Sequence, residues 1–197
     1  MSTTETTDQP LGARPQRADA QRNYAKVIAA ARDAFAEGGA ATSLEEIARR
    51  AQVGIGTLYR HFPNRQALLE AVYVDEVEAL CRSAADFADL PPWDALVAWL
   101  HRFVAYMATK QALAQQLLEH VERDAAVFQS SRAALYAAGE PLLKRAQDAR
   151  AVRVDTDFPE LIQMVGGMAK IPTSAPGQID HILDIALDGL RYRAPGE

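Results

Sequence analysis

The sequence predicts an all-α chain of about nine helices, and three observations predict it. Alanine, leucine, glutamate, arginine and glutamine, all good helix formers, are abundant. Runs that alternate apolar and polar residues, the mark of half-buried strands, are scarce. Apolar residues instead recur three and four positions apart, in segments punctuated by glycine and proline. At 197 residues and 49% apolar, the chain can bury a substantial core, in one domain or in two small ones that share it.

Taken in order, residues 1–18 are polar, contain Pro10, Gly12 and Pro15, and are expected to form a disordered arm. A first helix is expected over 19–37, with Tyr24, Ile28, Ala31 and Phe35 on one face and Gly38-Gly39 as its stop. A second opens at Ser43. Glu46, three residues on, matches a capping box in which hydroxyl and carboxylate each take the other's amide. Leu44, Ile47, Ala48 and Ala51 form its apolar stripe. Gly54 and Gly56 bracket Val53 and Ile55 and allow a sharp turn. In the third helix Leu58 and Phe62 point inward, which leaves Thr57, Tyr59 and Arg60 outside and His61 at the boundary. Asn64 follows Pro63 as a cap, and a fourth helix is expected to continue to residue 88 with Leu68, Val72 and Leu80 buried.

Pro91-Pro92 break the chain before a fifth helix, 92–108, with Leu96, Trp99, Leu100, Phe103 and Met107 apolar. A sixth is expected over 111–122 and a seventh over 125–150, the latter liable to break at Gly139-Glu140-Pro141. A polar connection leads to an eighth helix, 159–170, with Pro159 in its first turn, where a missing amide hydrogen is harmless. After a second loop, a ninth spans 178–193 with Ile179, Ile182, Leu183, Ala186, Leu187 and Leu190 as a broad apolar face.

The stretch from Ser43 to Phe62 therefore reads as two short helices joined by a tight turn. A helix-turn-helix lays its second helix in the major groove of duplex DNA. The hydroxyl, phenol, guanidinium and imidazole of Thr57, Tyr59, Arg60 and His61 are all donors suited to phosphates or base edges. An ordinary helical hairpin with a solvated polar face would look similar at this level.

The residues narrow the choice. Gly56-Thr57-Leu58-Tyr59-Arg60-His61-Phe62, followed by Pro63-Asn64-Arg65 and an apolar helix, resembles the signature of TetR-family transcriptional regulators. The similarity extends back through Thr42-Ser43-Leu44-Glu45-Glu46-Ile47-Ala48 to Phe35 and Gly38-Gly39. The resemblance implies a helix-turn-helix DNA-binding domain over 19–66 and a helical ligand-binding and dimerisation domain over 67–197. It implies a homodimer paired through the helices at 159–170 and 178–193, a palindromic DNA operator, and a small-molecule effector that controls repression. On this pattern Ser43, Tyr59, His61 and Arg65 hold phosphates, Thr57 and Arg60 read bases, and Gly56 stands where backbone nears the duplex. Arg14 and Arg17 give the N-terminal arm a possible route to DNA, though ordinary terminal disorder explains such a stretch more often. Two positions depart from the family pattern. Gln52 occupies a turn position where glycine is common, so strain or a different geometry is expected there. Ile55 replaces a polar or basic residue and can offer only apolar contact, for example to a thymine methyl.

Charge supports this reading. Nine Lys/Arg face six Asp/Glu from Leu11 to Glu70, against twelve facing eighteen from Ala71 onward, within a net charge of −5. A mildly basic head on an acidic body suits a protein that touches DNA at one end. No GxSxG, P-loop, GxGxxG or HExxH motif is present, so neither an enzyme nor a bound cofactor is expected. His101, His120 and His181 lack metal-ligand spacing, and Glu119, His120 and Glu122 diverge around a helix. The lone Cys81 suits a reducing cytoplasm, the expected location, and its only near basic neighbour is Arg82, a weak basis for redox sensing. No run approaches about 18 apolar residues, so no membrane span is expected.

The effector pocket implied by the resemblance falls among the body helices. Trp99, Phe103, Tyr106, Met107, Phe128, Tyr136, Met164 and Met168 are its candidate aromatic and thioether walls, with Leu117 beside them. Gln116, His120 and Gln163 are candidate polar handles. Gly166-Gly167, at about 1 kcal/mol each against alanine, suggests close helix–helix approach. A carrier or enzyme on the same fold and a protein-binding adaptor are the competing classes.

Overall fold

The computed structural model describes residues 14–38, 42–117, 126–172, 175 and 177–192. Among these the chain forms eight helices: α1 (Arg14–Gly38), α2 (Leu44–Arg50), α3 (Ile55–His61), α4 (Arg65–Asp86), α5 (Pro92–Leu117), α6 (Ala126–Asp148), α7 (Phe158–Met168) and α8 (Gln178–Asp188). The all-α expectation holds.

α1, α2 and α3 pack on one another to form the head, and α4 leads from it into the body. Ile28, Ala31 and Phe35 of α1, Ile47 and Ala48 of α2, and Leu58 of α3 are buried together with Phe62 and Leu68. These are the inward positions that helical spacing predicts. α4 lies along both α5 and α6 and also touches α1, so head and body share one continuous apolar core. Arg32 of α1 reinforces the joint through ion pairs with Asp75, at 2.5 Å, and with Glu76 of α4. In the body Trp99 is fully buried, stacks on Phe103 at 5.9 Å, and donates its indole N–H to the Leu80 carbonyl at 3.2 Å.

Several boundaries differ from expectation, each for a local reason. α1 already includes residues 14–18, with Pro15 in the first turn where no amide hydrogen is needed. Residues 1–13 lie outside the described residues. α5 runs unbroken across 109–111, where no glycine or proline interrupts it, so the expected fifth and sixth helices are one as far as Leu117. α6 likewise passes through Pro141 without ending. Pro141 stands exposed, while Gly139 is buried against its neighbours. α7 begins with a complete capping box: the Asp157 carboxylate accepts the Glu160 amide at 2.8 Å, and the Glu160 carboxylate accepts the Asp157 amide at 3.2 Å. α8 stops at Asp188 rather than 193. Gly189 caps it, and an antiparallel bridge then pairs Val152 with Arg191, the Arg153 amide donating to the Leu190 carbonyl at 2.9 Å. His101 of α5 ties α8 down, with Nδ1 3.1 Å from Asp180 and Nε2 3.0 Å from Asp184.

Candidate nucleic-acid interface and body cavity

The interface begins at the Ser43 cap. Its hydroxyl, on an exposed residue, accepts the Glu46 amide at 3.1 Å and retains a hydrogen with which it can donate. Only half of the expected capping box forms. The Glu46 carboxylate turns instead to Arg49, at 2.7 and 2.8 Å, and to Arg50, at 2.7 Å. Hydrogen bonds from these two guanidinium groups hold the Glu46 carboxyl down to about 2. Arg50 also reaches Glu37 of α1 at 2.6 Å, so Glu46 and Glu37 are both engaged by the C-terminal arginines of α2.

The turn takes the geometry that Gln52 forewarns. Its φ is +56°, the left-handed region that favours glycine, and it is held there by the Val53 amide donating to the Ala48 carbonyl at 3.0 Å. Gly54 then caps α3 with extended backbone, and the Thr57 amide donates to its carbonyl at 2.9 Å.

α3 divides as helical spacing requires. Leu58 is buried, and Phe62 just beyond it is buried too. Tyr59, at 44% exposure, and Arg60 stand outside, and Thr57 is half-buried at the near end. Around Gly56 no neighbour lies within 4 Å of where a Cβ would stand, so the backbone itself is approachable. Ile55, 40% exposed, extends the same ridge with an apolar group. His61 is half-buried: its ring meets Tyr24 of α1 edge-on at 5.9 Å and Phe62 at 6.1 Å. Tyr24 thus fixes the far end of α3 against α1.

Arg65, at the start of α4, is more deeply engaged than its sequence position suggests. It donates to the Thr42 carbonyl and lies 4.9 Å over the Phe35 ring. Burial pushes its guanidinium pKa down. The residue braces the loop that carries Ser43. Asn64 caps α4 as expected, accepting the Ala67 amide at 2.8 Å.

In the body, α4 to α7 surround a cavity of about 850 Å³. Of the expected wall residues, Phe103, Tyr106, Met107, Phe128 and Tyr136 line it, and Gln163 supplies a polar group. Trp99 does not: it is core, packed behind Phe103. Met164 faces outward at 36% exposure, one helical step from the wall, and Met168 packs on the core without reaching the cavity. The side chain of Gln116, the side chain of Leu117 and all of His120 lie outside the described residues. Gly166 and Gly167 line the cavity, and a Cβ on Gly166 would stand at an ordinary 3.9 Å from Phe103 and Met107. Within one chain this pair opens a wall; it is not a site of tight helix contact.

Sequence reasoning missed four polar lining residues: Tyr73, Lys110, Arg132 and Lys170. They come from four different segments, and no local motif joins them. Cys81 is half-buried, and burial first, then Glu78, pushes its thiol up, opposite to what a reactive thiolate needs. Among the described residues no group of His, Cys, Asp and Glu could hold a metal, and no helix is long and apolar enough to cross a membrane.

Residues 27–72 match the family described as bacterial regulatory proteins, tetR family. Residues 91–192, more than half of the chain, match the C-terminal domain described as transcriptional regulator SbtR-like. The chain belongs to the TetR family of transcriptional regulators. A TetR transcriptional regulator from Streptomyces coelicolor is 40% identical, with a TM-score of 0.77 over 86% of this chain and 99% of that one. A TetR regulatory protein from Mycobacterium vanbaalenii is 34% identical, with a TM-score of 0.76 over 90% and 99%. At 12% identity, the reduced form of NemR from E. coli shares the fold alone, with a TM-score of 0.69 over 87% of this chain and 100% of that one. TetR-family regulators bind DNA operators, dimerise and carry a ligand-binding domain, and they are not enzymes. In this member the tetR match covers the second half of α1 with α2, α3 and the start of α4, and the cavity falls mostly within the C-terminal match.

Proposed function

We propose that this TetR-family chain is a ligand-responsive repressor that reads a two-fold symmetric operator as a homodimer. The division is a DNA-binding domain to about residue 66 and a ligand-binding and dimerisation body beyond it. The carrying observation is the ridge of α3: Gly56, Tyr59 and Arg60 are exposed while Leu58 and Phe62 between and beyond them are buried. Thr57 and Arg60 read base edges. Tyr59, His61, Arg65 and the Ser43 hydroxyl hold phosphates, and Gly56 lets the backbone approach the duplex. Two copies, paired through α7 and α8, set their recognition helices about 34–36 Å apart, one turn of DNA. Met164 and Ile185, at 36% and 61% exposure, lie on the outer side of those two helices. An effector in the body cavity favours a dimer whose heads no longer match successive grooves, and that difference in affinity shifts the population off DNA.

The test is selection of duplexes from a random pool, followed by titration of the selected operator with variants. Tyr59→Phe should weaken binding on every sequence and leave the salt slope nearly unchanged, because the phenol carries no charge, whereas Arg60→Ala should relax base preference at one position. An unaltered isotherm for both would remove the assignment.

A further inference from the structure

The cavity carries charge as well as apolar wall, and the charge has one sign. Lys110, Arg132 and Lys170 border it, and no aspartate or glutamate lines it among the described residues. Elsewhere several exposed cations are paired: Lys144 with Asp148 at 2.6 Å, Arg153 with Asp155 at 2.5 Å, Arg50 with Glu37 at 2.6 Å. In a chain of net charge −5, three cations gather around one opening with no carboxylate lining it among the described residues.

Their arrangement has a direction. Arg132 and Lys170 are exposed at the mouth, while Lys110 is half-buried in the wall with its ammonium 5.9 Å from the centre of the Tyr106 ring. Lys110 is pushed down, first by burial and then by Arg132 and Lys170, so both of these cations act on its ammonium. Further in, the Tyr106 hydroxyl is buried beside Tyr73 and has no hydrogen-bond partner of good geometry among the described residues. Around these groups stand Phe103, Leu135 and Ile162. A pocket of a few hundred to about 1,000 Å³ with apolar walls and few polar groups suits a small organic ligand. Like charge disfavours an amine, and cations with no carboxylate beside them among the described residues, next to a buried hydroxyl, reward an acceptor.

We propose that the ligand of this cavity is an amphipathic organic anion, an apolar chain or ring ending in a carboxylate, held by Lys110, Arg132 and Lys170. This rests on the reading of the cavity as the effector site. The carboxylate sits near the mouth, where it offsets the repulsion that Arg132 and Lys170 exert on Lys110. The apolar body fills the space between Phe103 and Ile162, which Gly166 and Gly167 leave open.

The experiment is isothermal titration of the full-length protein with matched carboxylates, alcohols and amines of about six to fourteen carbons, the range over which each buried CH₂ adds measurably. A parallel arm uses alkyl phosphates of the same lengths. At the best length the carboxylate should bind at least about tenfold tighter than the alcohol, and the amine weakest. Lys110→Gln and Lys170→Gln should lower carboxylate affinity while leaving the alcohol isotherm and the melting temperature unchanged. Lys170 is exposed, so its variant keeps the test independent of folding. Alcohol equal to carboxylate, no binding by any member, a stronger alkyl phosphate, or a Lys170→Gln isotherm identical to wild type overturns the assignment. A separate gel shift on operator DNA distinguishes the two readings. A carboxylate that binds without releasing DNA leaves the charge assignment and removes the effector role. Release by the neutral alcohol at the same concentration does the reverse.

Discussion

Gly139 of α6 lies directly against the Phe158 ring at the start of α7: a Cβ added to it would stand 2.3 Å from Phe158 Cζ and 2.6 Å from Trp99 Cη2. Three elements meet at this point, since Trp99 belongs to α5. Both rings are buried, Trp99 fully, and Trp99 is stacked on Phe103 and bonded to Leu80, so neither can step aside cheaply. The glycine two residues before a proline is thus a packing requirement, met inside a helix that continues.

Gly139→Ala is accordingly expected to destabilise the protein even though alanine is the better helix former. The propensity gain is about 1 kcal/mol. Overpacking a filled core costs about 1–3 kcal/mol, more when backbone must move. Chemical denaturation should give a lower midpoint at unchanged slope, and a midpoint at or above wild type would contradict the contact.

Gly166→Ala is the matched control, on another helix. Its Cβ would meet Phe103 and Met107 at 3.9 Å, ordinary contact. Only the propensity gain remains, so stability should rise by up to about 1 kcal/mol, or about 2–4 °C in Tm for a chain of this size. A fall in Tm would mean that a partner helix approaches this face.

These two glycines show where sequence reading worked and where it stopped. Helical spacing placed Leu58 and Phe62 inside and Tyr59 and Arg60 outside, because i and i+4 positions on a short helix leave no other choice. Strain at Gln52 was legible only through the family resemblance, which has glycine common at that turn position, and the left-handed backbone is the form it takes. Gly139 was read as a break, since its partners Trp99 and Phe158 are distant in sequence and no local rule reveals them. Trp99 was read as pocket wall for the same reason: core and pocket residues share a helix face and differ only in what packs behind them. The cations of the cavity were invisible because three separate segments supply Lys110, Arg132 and Lys170.

Gly56→Leu should abolish operator binding and leave the fold intact. The added side chain enters open space, so nothing in the head must move. It would project from the ridge that approaches the duplex, and leucine also raises helix propensity by about 0.5–1 kcal/mol. Unchanged helicity and Tm together with lost gel retardation is the expected pair. Retained DNA affinity would place the duplex on another face.

Acid should loosen the head in part through Glu46. Its carboxyl is held down to about 2 by hydrogen bonds from Arg49 and Arg50. A carboxyl whose folded pKa is depressed contributes stability that is present above its unfolded value, about 4.3, and lost as pH falls through the folded one. The window is therefore about pH 4.5 down to about 2, and exposure with salt screening keeps the effect small. Glu46→Gln should lower Tm slightly at pH 7, and the gap from wild type should close as pH falls through that window. A parallel profile would mean that the pair adds nothing in solution.

Arg65 separates bracing from phosphate binding. Its guanidinium donates to the Thr42 carbonyl and covers the Phe35 ring at 4.9 Å, so Arg65→Ala removes a charge-assisted hydrogen bond and a cation–π contact, together about 1–3 kcal/mol. The Thr42 loop carries Ser43, and its loosening should weaken operator binding along with stability. Arg65→Lys keeps the charge but not the planar fork. If Arg65 acted on phosphate alone, lysine would restore most of the affinity and alanine would leave Tm unmoved. With bracing added to phosphate binding, Tm should fall in both variants, alanine more than lysine, and lysine should keep part of the operator affinity that alanine loses.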